Sequence, residues 1–174
     1  MKQLNFKKMI YTALFTALVC VATLVIQIQT PITSGYVNIG DCFVLMAAWV
    51  LGPLYGAFAG GVGAALADLL LSYAHYVPGT LIIKALMAVI AALLFRRLEK
   101  HNTYLGQAVS GIAAELWMVT GYFTYASLIL GKGLAAATSI PGNLLQGAVG
   151  LVAAMALIAA LRETKTLDRV STNG

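Results

Sequence analysis

Residues 37–71 read VNIGDCFVLMAAWVLGPLYGAFAGGVGAALADLLL and contain two charged side chains, Asp41 and Asp68. A helix that crosses the ~30 Å hydrocarbon core of a bilayer needs about 20 largely apolar residues, so this stretch is too long for one crossing. Gly52-Pro53 divides it, because proline cannot continue the helix that precedes it. The stretch therefore predicts two consecutive membrane helices, over residues 39–51 and 54–73.

The rest of the chain has the same apolar character. Of its 174 residues, 60% are hydrophobic and 10% are charged, whereas a soluble globular domain has about 25% charged residues. The same length criterion predicts further membrane helices over residues 9–28, 80–95, 105–130 and 140–161. The predicted fold is all-α: a single polytopic membrane domain, built as a compact bundle of six transmembrane helices, with a flexible cytoplasmic tail at residues 164–174.

Basic residues decide the predicted orientation. Three clusters occur before the first helix, after the fourth and after the sixth: Lys2, Lys7 and Lys8; Arg96, Arg97 and Lys100; Arg162, Lys165 and Arg169. Six crossings place all three clusters on one side, which the positive-inside rule makes cytoplasmic. We therefore predict a multi-pass protein of the cell membrane with both termini in the cytoplasm. Because the net charge of +5 arises from these short clusters, a nucleic-acid partner is not expected.

Polar side chains concentrate in the predicted outer half of the bundle. A charge near the centre of a membrane helix costs about 2.5–3.5 kcal/mol on insertion scales, so each one needs an explanation. The polar and aromatic residues placed there are Asp41, Asp68, Lys84, Glu115, Tyr122, Tyr125, Asn143 and Gln146, with Tyr73, His75 and Tyr76 in an outer loop. Their convergence predicts an outward-opening ligand cavity. Stacking on tyrosine or on Trp117, with hydrogen bonds from Asn, Gln and Glu, suits a planar heteroaromatic ligand.

Several of these residues also have a purely structural interpretation. Asp68 and Lys84 are expected to form a buried ion pair between the third and fourth helices. Glu115 could instead pair with Lys84, and Asn143 could cap a helix terminus. Trp117 lies about 200° around the helix from Glu115, so the two do not easily face one cavity. For His75, a solvated position in the loop is the favoured interpretation.

The loop before the second helix is a candidate gate. Residues 29–40 include Tyr36 and Asn38 and lead directly to Asp41. Such a loop either folds over the cavity as a lid or serves as a plain connector.

Small residues four apart let membrane helices pack closely. Gly52, Gly56, Gly60 and Ala64 follow this spacing in the third helix and favour packing within the bundle. Ala13 and Ala17 follow it in the first helix, where they suit either internal packing or the docking of another membrane subunit.

The chain carries no sequence motif for catalysis. It has no Walker A, GxSxG or HExxH sequence, and Cys20 and Cys42 lack a metal-binding context. An enzyme, a metal site and a cofactor are therefore not expected. A small chain without evident inverted repeats is expected to bind a solute and to depend on other subunits for energy.

Four sequence blocks resemble the substrate-binding S components of energy-coupling factor (ECF) transporters, which are ABC-type importers. The blocks are YVNIGD at 36–41, LGPLYGA at 51–57, ADLL at 67–70 and PGTLIIK at 78–84. The resemblance is strongest to the branch with riboflavin-, pyridoxine- and hydroxymethylpyrimidine-type members. It implies a six-helix subunit that captures a vitamin outside the cell and delivers it by associating with a T component and two ATPases. It also implies docking through Ala13 and Ala17, gating by residues 29–40, and a body that topples in the membrane.

The resemblance leaves the substrate open. A pyridoxine- or hydroxymethylpyrimidine-type vitamin is the first expectation and riboflavin the second, with thiamine and queuosine-type precursors as further candidates. The alternative function is a membrane scaffold or assembly protein, in which the polar residues would form a packing network. A membrane enzyme would have as catalytic candidates only Glu115, Asp68, Lys84 and His75.

Overall fold

The computed structural model describes residues 6–30 and 35–163, which form a bundle of six α-helices and a short β-hairpin. The helices are α1 (Phe6–Val25), α2 (Gly40–Leu51), α3 (Pro53–Leu70), α4 (Val77–Leu98), α5 (Thr103–Thr124) and α6 (Ile140–Glu163). A π-helical turn, Tyr125–Ile129, extends α5, and a 3₁₀ segment, Gly133–Ser139, leads into α6. Lys2, Lys165, Arg169 and the predicted tail at 164–174 lie outside the described residues.

The helices differ in how readily they could cross a membrane. Within the described part of the chain, four segments are long and apolar enough: α1, α3, α4 and the segment Gly133–Glu163 that contains α6. Helix α2 is apolar but has only 12 residues. Helix α5 has 22 residues and buries polar Gln107, Ser110 and Glu115. The sequence-predicted start of the fourth helix at residue 80 is late, because Pro78 fits in the first turn, where its missing N–H breaks no hydrogen bond.

The connection between α1 and α2 is a β-hairpin, which the all-helical prediction did not include. Strand β1 (Gln27–Thr30) pairs antiparallel with β2 (Gly35–Asn38), so that Gln27 lies opposite Asn38. The β-branched and aromatic residues of these strands favour extended backbone. The hairpin lies directly before α2 and therefore holds Asn38 close to the first turn of that helix.

Glycines bring α3 into close contact with three other helices. A Cβ atom on Gly56 would lie 2.8 Å from Cα of Ala48 in α2, and one on Gly63 would lie 2.6 Å from the carbonyl oxygen of Thr16 in α1. A Cβ on Gly61 would lie 2.8 Å from the carbonyl oxygen of Leu81 in α4. The small residues of α3 therefore pack inside the bundle, as the sequence predicted.

The two ends of the bundle differ in charge. The Arg96 guanidinium at the end of α4 lies against Gly52 at the end of α2, so these two helix ends meet. Alternating helix directions place Lys7, Lys8 and Arg162 at this same end. The opposite end carries the hairpin and is called the hairpin end below. The functional candidates of the sequence analysis lie mainly in the half of the bundle that includes the hairpin end.

Candidate functional site

A cavity lies in the hairpin-end half of the bundle, and all six helices contribute to its wall. It encloses about 680 Å³ of space, including its open mouth. Val19, Val44, Ala64 and Ala126 form the apolar part of the wall. The polar and aromatic part consists of Thr23, Asn38, Asp41, Asp68, Tyr76, Thr80, Lys84, Tyr122, Ser139, Asn143 and Gln146. A concave apolar wall with several convergent polar groups is typical of small-molecule sites.

A buried ion pair forms the floor of this cavity. Lys84 Nζ in α4 donates to Asp41 Oδ1 in the first turn of α2, and the two side chains are only 3% and 1% exposed. The N-terminus of α2 favours a carboxylate at this position. The ammonium group of Lys84 also lies 5.5 Å from the centre of the Tyr122 ring. The predicted pairing of Lys84 with Asp68 was wrong, because α2 packs beside α4 and starts at the same end of the bundle.

Hydrogen bonds connect the floor to the hairpin. Gln146 Nε2 in α6 donates to Asp41 Oδ2 over 2.6 Å, and the backbone N–H of Asn38 donates to Gln146 Oε1 over 2.8 Å. The side-chain oxygen of Asn38 accepts a bond of 2.8 Å from the N–H of Gly40 and one of 3.4 Å from the hydroxyl of Thr23. The end of β2 is thereby bonded to α1, α2 and α6 at once.

Asn143 in α6 contributes a carboxamide to the polar wall of the cavity. Its side chain is buried, lines the cavity, and forms no hydrogen bond within the described part of the chain. The nearby Tyr122 hydroxyl, in contrast, donates to Thr80 Oγ1 over 3.2 Å. A free carboxamide offers both a donor and an acceptor. Asn143 can therefore form a paired contact with a ring edge that carries both kinds of group.

Glu115 lies behind the floor and does not line the cavity. The Glu115 side chain packs against Gly147 of α6, so that a Cβ atom added to this glycine would lie 2.9 Å from Glu115 Oε2. Neither carboxyl oxygen has a hydrogen-bond partner among the described residues, although the charges of Asp41 and Lys84 are near enough to act on it. Within residues 6–30 and 35–163, no group of three His, Cys, Asp or Glu side chains could hold a metal ion.

Besides Glu115, three predicted ligand contacts lie away from the cavity wall. Trp117 Nε1 donates to the carbonyl oxygen of Ile83 over 3.1 Å, which directs the indole toward α4. The Tyr125 hydroxyl donates to the carbonyl oxygen of His75 over 2.9 Å. The His75 side chain is exposed, and its ring centre lies 4.8 Å from that of Tyr76. Of the predicted gate residues, Asn38 and Asp41 reach the cavity, whereas the Tyr36 side chain is outside the described part of the structure.

Sequence reasoning missed the hydroxyl groups of the wall. Thr23, Thr80 and Ser139 line the cavity, but isolated threonine and serine residues in apolar helices carry no distinctive signal. Thr80 could have been found from its position, since it lies four residues before Lys84 and therefore on the same helix face.

The other half of the bundle is less apolar than predicted. Gln107 and Ser110 are completely buried in α5, and Trp49 Nε1 donates to Ser110 Oγ over 3.1 Å. The amide nitrogen and oxygen of Gln107 have no hydrogen-bond partner among the described residues. This polar group is separate from the cavity.

Ala13 and Ala17 lie on the exposed surface of α1. The side chains beside them on this surface are apolar, and Ile10, Leu14 and Val21 are each more than half exposed, at 54%, 51% and 54%. Internal packing, one of the two interpretations of this alanine pair, is therefore wrong.

Comparisons with known proteins agree with this arrangement of helices. A family model described as "ECF-type riboflavin transporter, S component" matches residues 3–163. The chain belongs to this S-component family. A solved chain described as "Structure and mechanism of the S component of a bacterial ECF transporter" superposes with a TM-score of 0.67 at 19% identity, covering 92% of this chain and 98% of that chain. At that identity the superposition shows the shared fold alone.

The S component also has a relative in Pyrococcus woesei. That protein, described as "Uncharacterized protein in gap 3'region", is 34% identical over 142 residues, which cover 77% of this chain and 93% of the relative. Family membership makes the chain a membrane-embedded transporter subunit and not an enzyme, in agreement with the sequence prediction. S components bind a small vitamin and work with the other modules of ECF transporters.

Proposed function

We propose that this S component captures a small heteroaromatic vitamin in the hairpin-end cavity. The observation that supports this most directly is the uncommitted carboxamide of Asn143, which lines the cavity together with Tyr76 and Tyr122. Aromatic side chains provide stacking surfaces, and a carboxamide recognises the edge of a ring that carries both a donor and an acceptor.

Two classes of vitamin are the leading candidates. Single-ring compounds of the pyridoxine and hydroxymethylpyrimidine type are favoured by the mixture of Asn143, Asp68 and hydroxyl groups in a compact wall. Riboflavin is favoured by the description of the matching family. Its ring system also carries adjacent donors and acceptors that Asn143 can pair with.

The charges of the S component support a specific orientation in the membrane, which is part of the proposal. Lys7, Lys8, Arg96, Arg97 and Arg162 all belong to the end opposite the hairpin, and positively charged loops remain in the cytoplasm. In this orientation six transmembrane helices place both termini in the cytoplasm of a cell-membrane protein, and the cavity faces outward. The hairpin, with Tyr36 and Asn38 ahead of Asp41, then serves as the gate on the outer side.

Delivery of the vitamin requires partners, which we propose to be a T component and two ABC-type ATPases. The exposed pair Ala13 and Ala17 supplies a surface of small side chains on α1 against which a helix of the T component can pack closely. The apolar neighbours Ile10 and Leu14 extend this surface.

A binding panel with the purified, full-length protein tests the proposal. We expect one of riboflavin, pyridoxine, hydroxymethylpyrimidine or thiamine to raise the thermal unfolding midpoint without ATP. Mass spectrometry of the small molecules that co-purify with the protein identifies ligands outside this panel. A scaffold protein would show neither stabilisation nor a co-purified heteroaromatic compound, and that result would refute the proposed function.

A further inference from the structure

We infer that Gln146 is a positioning residue: its carboxamide joins the hairpin to the ion pair at the cavity floor and so keeps β2 in place beside the cavity. The inference concerns the site of the proposed function, but the bonds that carry it are internal to the protein. It assigns to Gln146 a role different from that of a direct ligand contact.

Both ends of the Gln146 side chain are engaged. Its oxygen accepts the 2.8 Å bond from the backbone N–H of Asn38, and its nitrogen donates the 2.6 Å bond to Asp41. The side chain is only 3% exposed, so water cannot readily replace either partner. Breaking one of these bonds would leave a buried polar group unsatisfied, which is costlier than the loss of an exposed hydrogen bond.

The bonds continue beyond Gln146 into a chain across the bundle. Asp41 uses one carboxylate oxygen for Gln146 and the other for Lys84. The position of β2 is therefore connected through α6 and α2 to α4. A displacement of β2 from the cavity requires the bond between Asn38 and Gln146 to break. Asp41, the other hydrogen-bond partner of Gln146, can then rearrange as well.

Asn143 provides a matched comparison on the same helix. It lies three residues before Gln146 and lines the same cavity, but it forms no hydrogen bond to the described protein. If a carboxamide were needed here only to fill space, methionine at either position would have similar effects. If hydrogen bonding positions the hairpin, only Gln146→Met will release it.

Hydrogen–deuterium exchange of the full-length protein without ligand tests this difference. We expect Gln146→Met to raise the exchange rate in peptides that cover residues 35–39 by about fivefold, since the net contribution of one such bond is about 1 kcal/mol. Asn143→Met should leave these rates at the wild-type value. Unchanged exchange in Gln146→Met, or an equal rise in Asn143→Met, would overturn the inference. Gln146→Asn, which is too short to reach both partners, serves as the second variant and should also raise exchange.

Release of riboflavin, followed by its fluorescence, measures the functional consequence. We expect Gln146→Met to increase the association rate and the dissociation rate, each by about fivefold, because the same bond holds the hairpin in the ligand-free protein and the hairpin must open both for entry and for release. A rise confined to the dissociation rate would indicate a lost ligand contact and would reject the positioning role. If wild-type protein does not bind riboflavin, the same measurement is made with pyridoxine; if it binds neither, the proposed substrate class is refuted, whereas the exchange experiment still decides the role of Gln146.

Discussion

Lys84 and Asp41 form an ion pair between α4 and α2 in which both side chains are almost completely shielded, at 3% and 1% exposure. Two residues far apart in the chain, on non-consecutive helices, therefore define the floor of the cavity. Isolated charges in membrane helices are costly, and pairing them inside the bundle is the usual way in which they are tolerated.

The ion pair predicts a strong energetic coupling between its two residues. Lys84→Met or Asp41→Asn alone should lower the free energy of unfolding by about 3–5 kcal/mol, because each leaves the other group buried without its partner. The double variant should recover part of this loss. Thermal unfolding in detergent measures the stability of the wild type, the two single variants and the double variant. A double variant whose loss of unfolding free energy equals the sum of the two single losses would contradict the coupling.

Close packing of α3 predicts a specific sensitivity to added methyl groups. Gly63→Ala should destabilise the protein by about 1–3 kcal/mol, because the new Cβ would lie 2.6 Å from a backbone oxygen of α1 that cannot move independently. Gly121→Ala is the control: its nearest contact, at 3.1 Å, is the side chain of Ile83, which can adjust. Equal unfolding midpoints for the two variants would show that α1 and α3 are not packed this closely.

The unused carboxamide of Asn143 predicts a direct effect on affinity. Asn143→Ala should weaken vitamin binding by about 1–3 kcal/mol, since a buried ligand group would lose its hydrogen-bond partner. Trp117→Phe is the control, because this indole is bonded to the backbone of α4 and lies off the cavity wall. Isothermal titration measures both variants, and wild-type affinity in Asn143→Ala would place the ligand elsewhere.

The buried amide of Gln107 predicts that replacing this residue by an apolar one does not destabilise the protein. Its amide nitrogen and oxygen are buried without partners in the described structure, so Gln107→Leu removes two unsatisfied groups and keeps most of the volume. We expect an unfolding midpoint equal to or higher than that of the wild type. Vitamin affinity should not change, because Gln107 does not line the cavity. A clear fall in stability would mean that its amide groups are satisfied in the membrane.

The exposed surface of α1 predicts a separation of binding from transport. Ala13→Trp or Ala17→Trp should abolish vitamin uptake in cells that contain the T component and both ATPases, while the purified variant still binds its ligand. Val152→Trp, at a 69% exposed position of α6, is the control and should transport normally. Uptake at the wild-type rate in both alanine variants would exclude this surface as the docking site.

Most of the helices could be predicted from sequence because their apolar runs are long and are separated by glycine, proline or charged residues. The choice of ion-pair partner could not be predicted. Asp41 and Asp68 are both acidic residues in apolar surroundings, and only the packing of α2 beside α4 selects Asp41 for Lys84. The same limit applies to Gln146: its residue type suggested a polar contact, but the bond to the backbone of Asn38 depends on where the hairpin lies.

The hairpin and the buried Gln107 show two other limits of sequence reasoning. Four-residue strands are too short to be distinguished by periodicity from an ordinary connector. Gln107 belongs to a helix whose neighbouring residues are apolar, so nothing in the sequence indicates whether its side chain faces lipid or the centre of the bundle.

The pairing of Lys84 with Asp41 also determines how the transmembrane voltage acts on the cavity floor. Moving one unpaired elementary charge across the full membrane changes its electrostatic energy by about 2.3 kcal/mol per 100 mV of membrane potential. Opposite charges in one contact travel together, so the pair contributes no net charge to any reorientation of the protein. If the subunit turns within the bilayer to deliver its cargo, the voltage does almost no work on these two residues, whichever way the cavity faces.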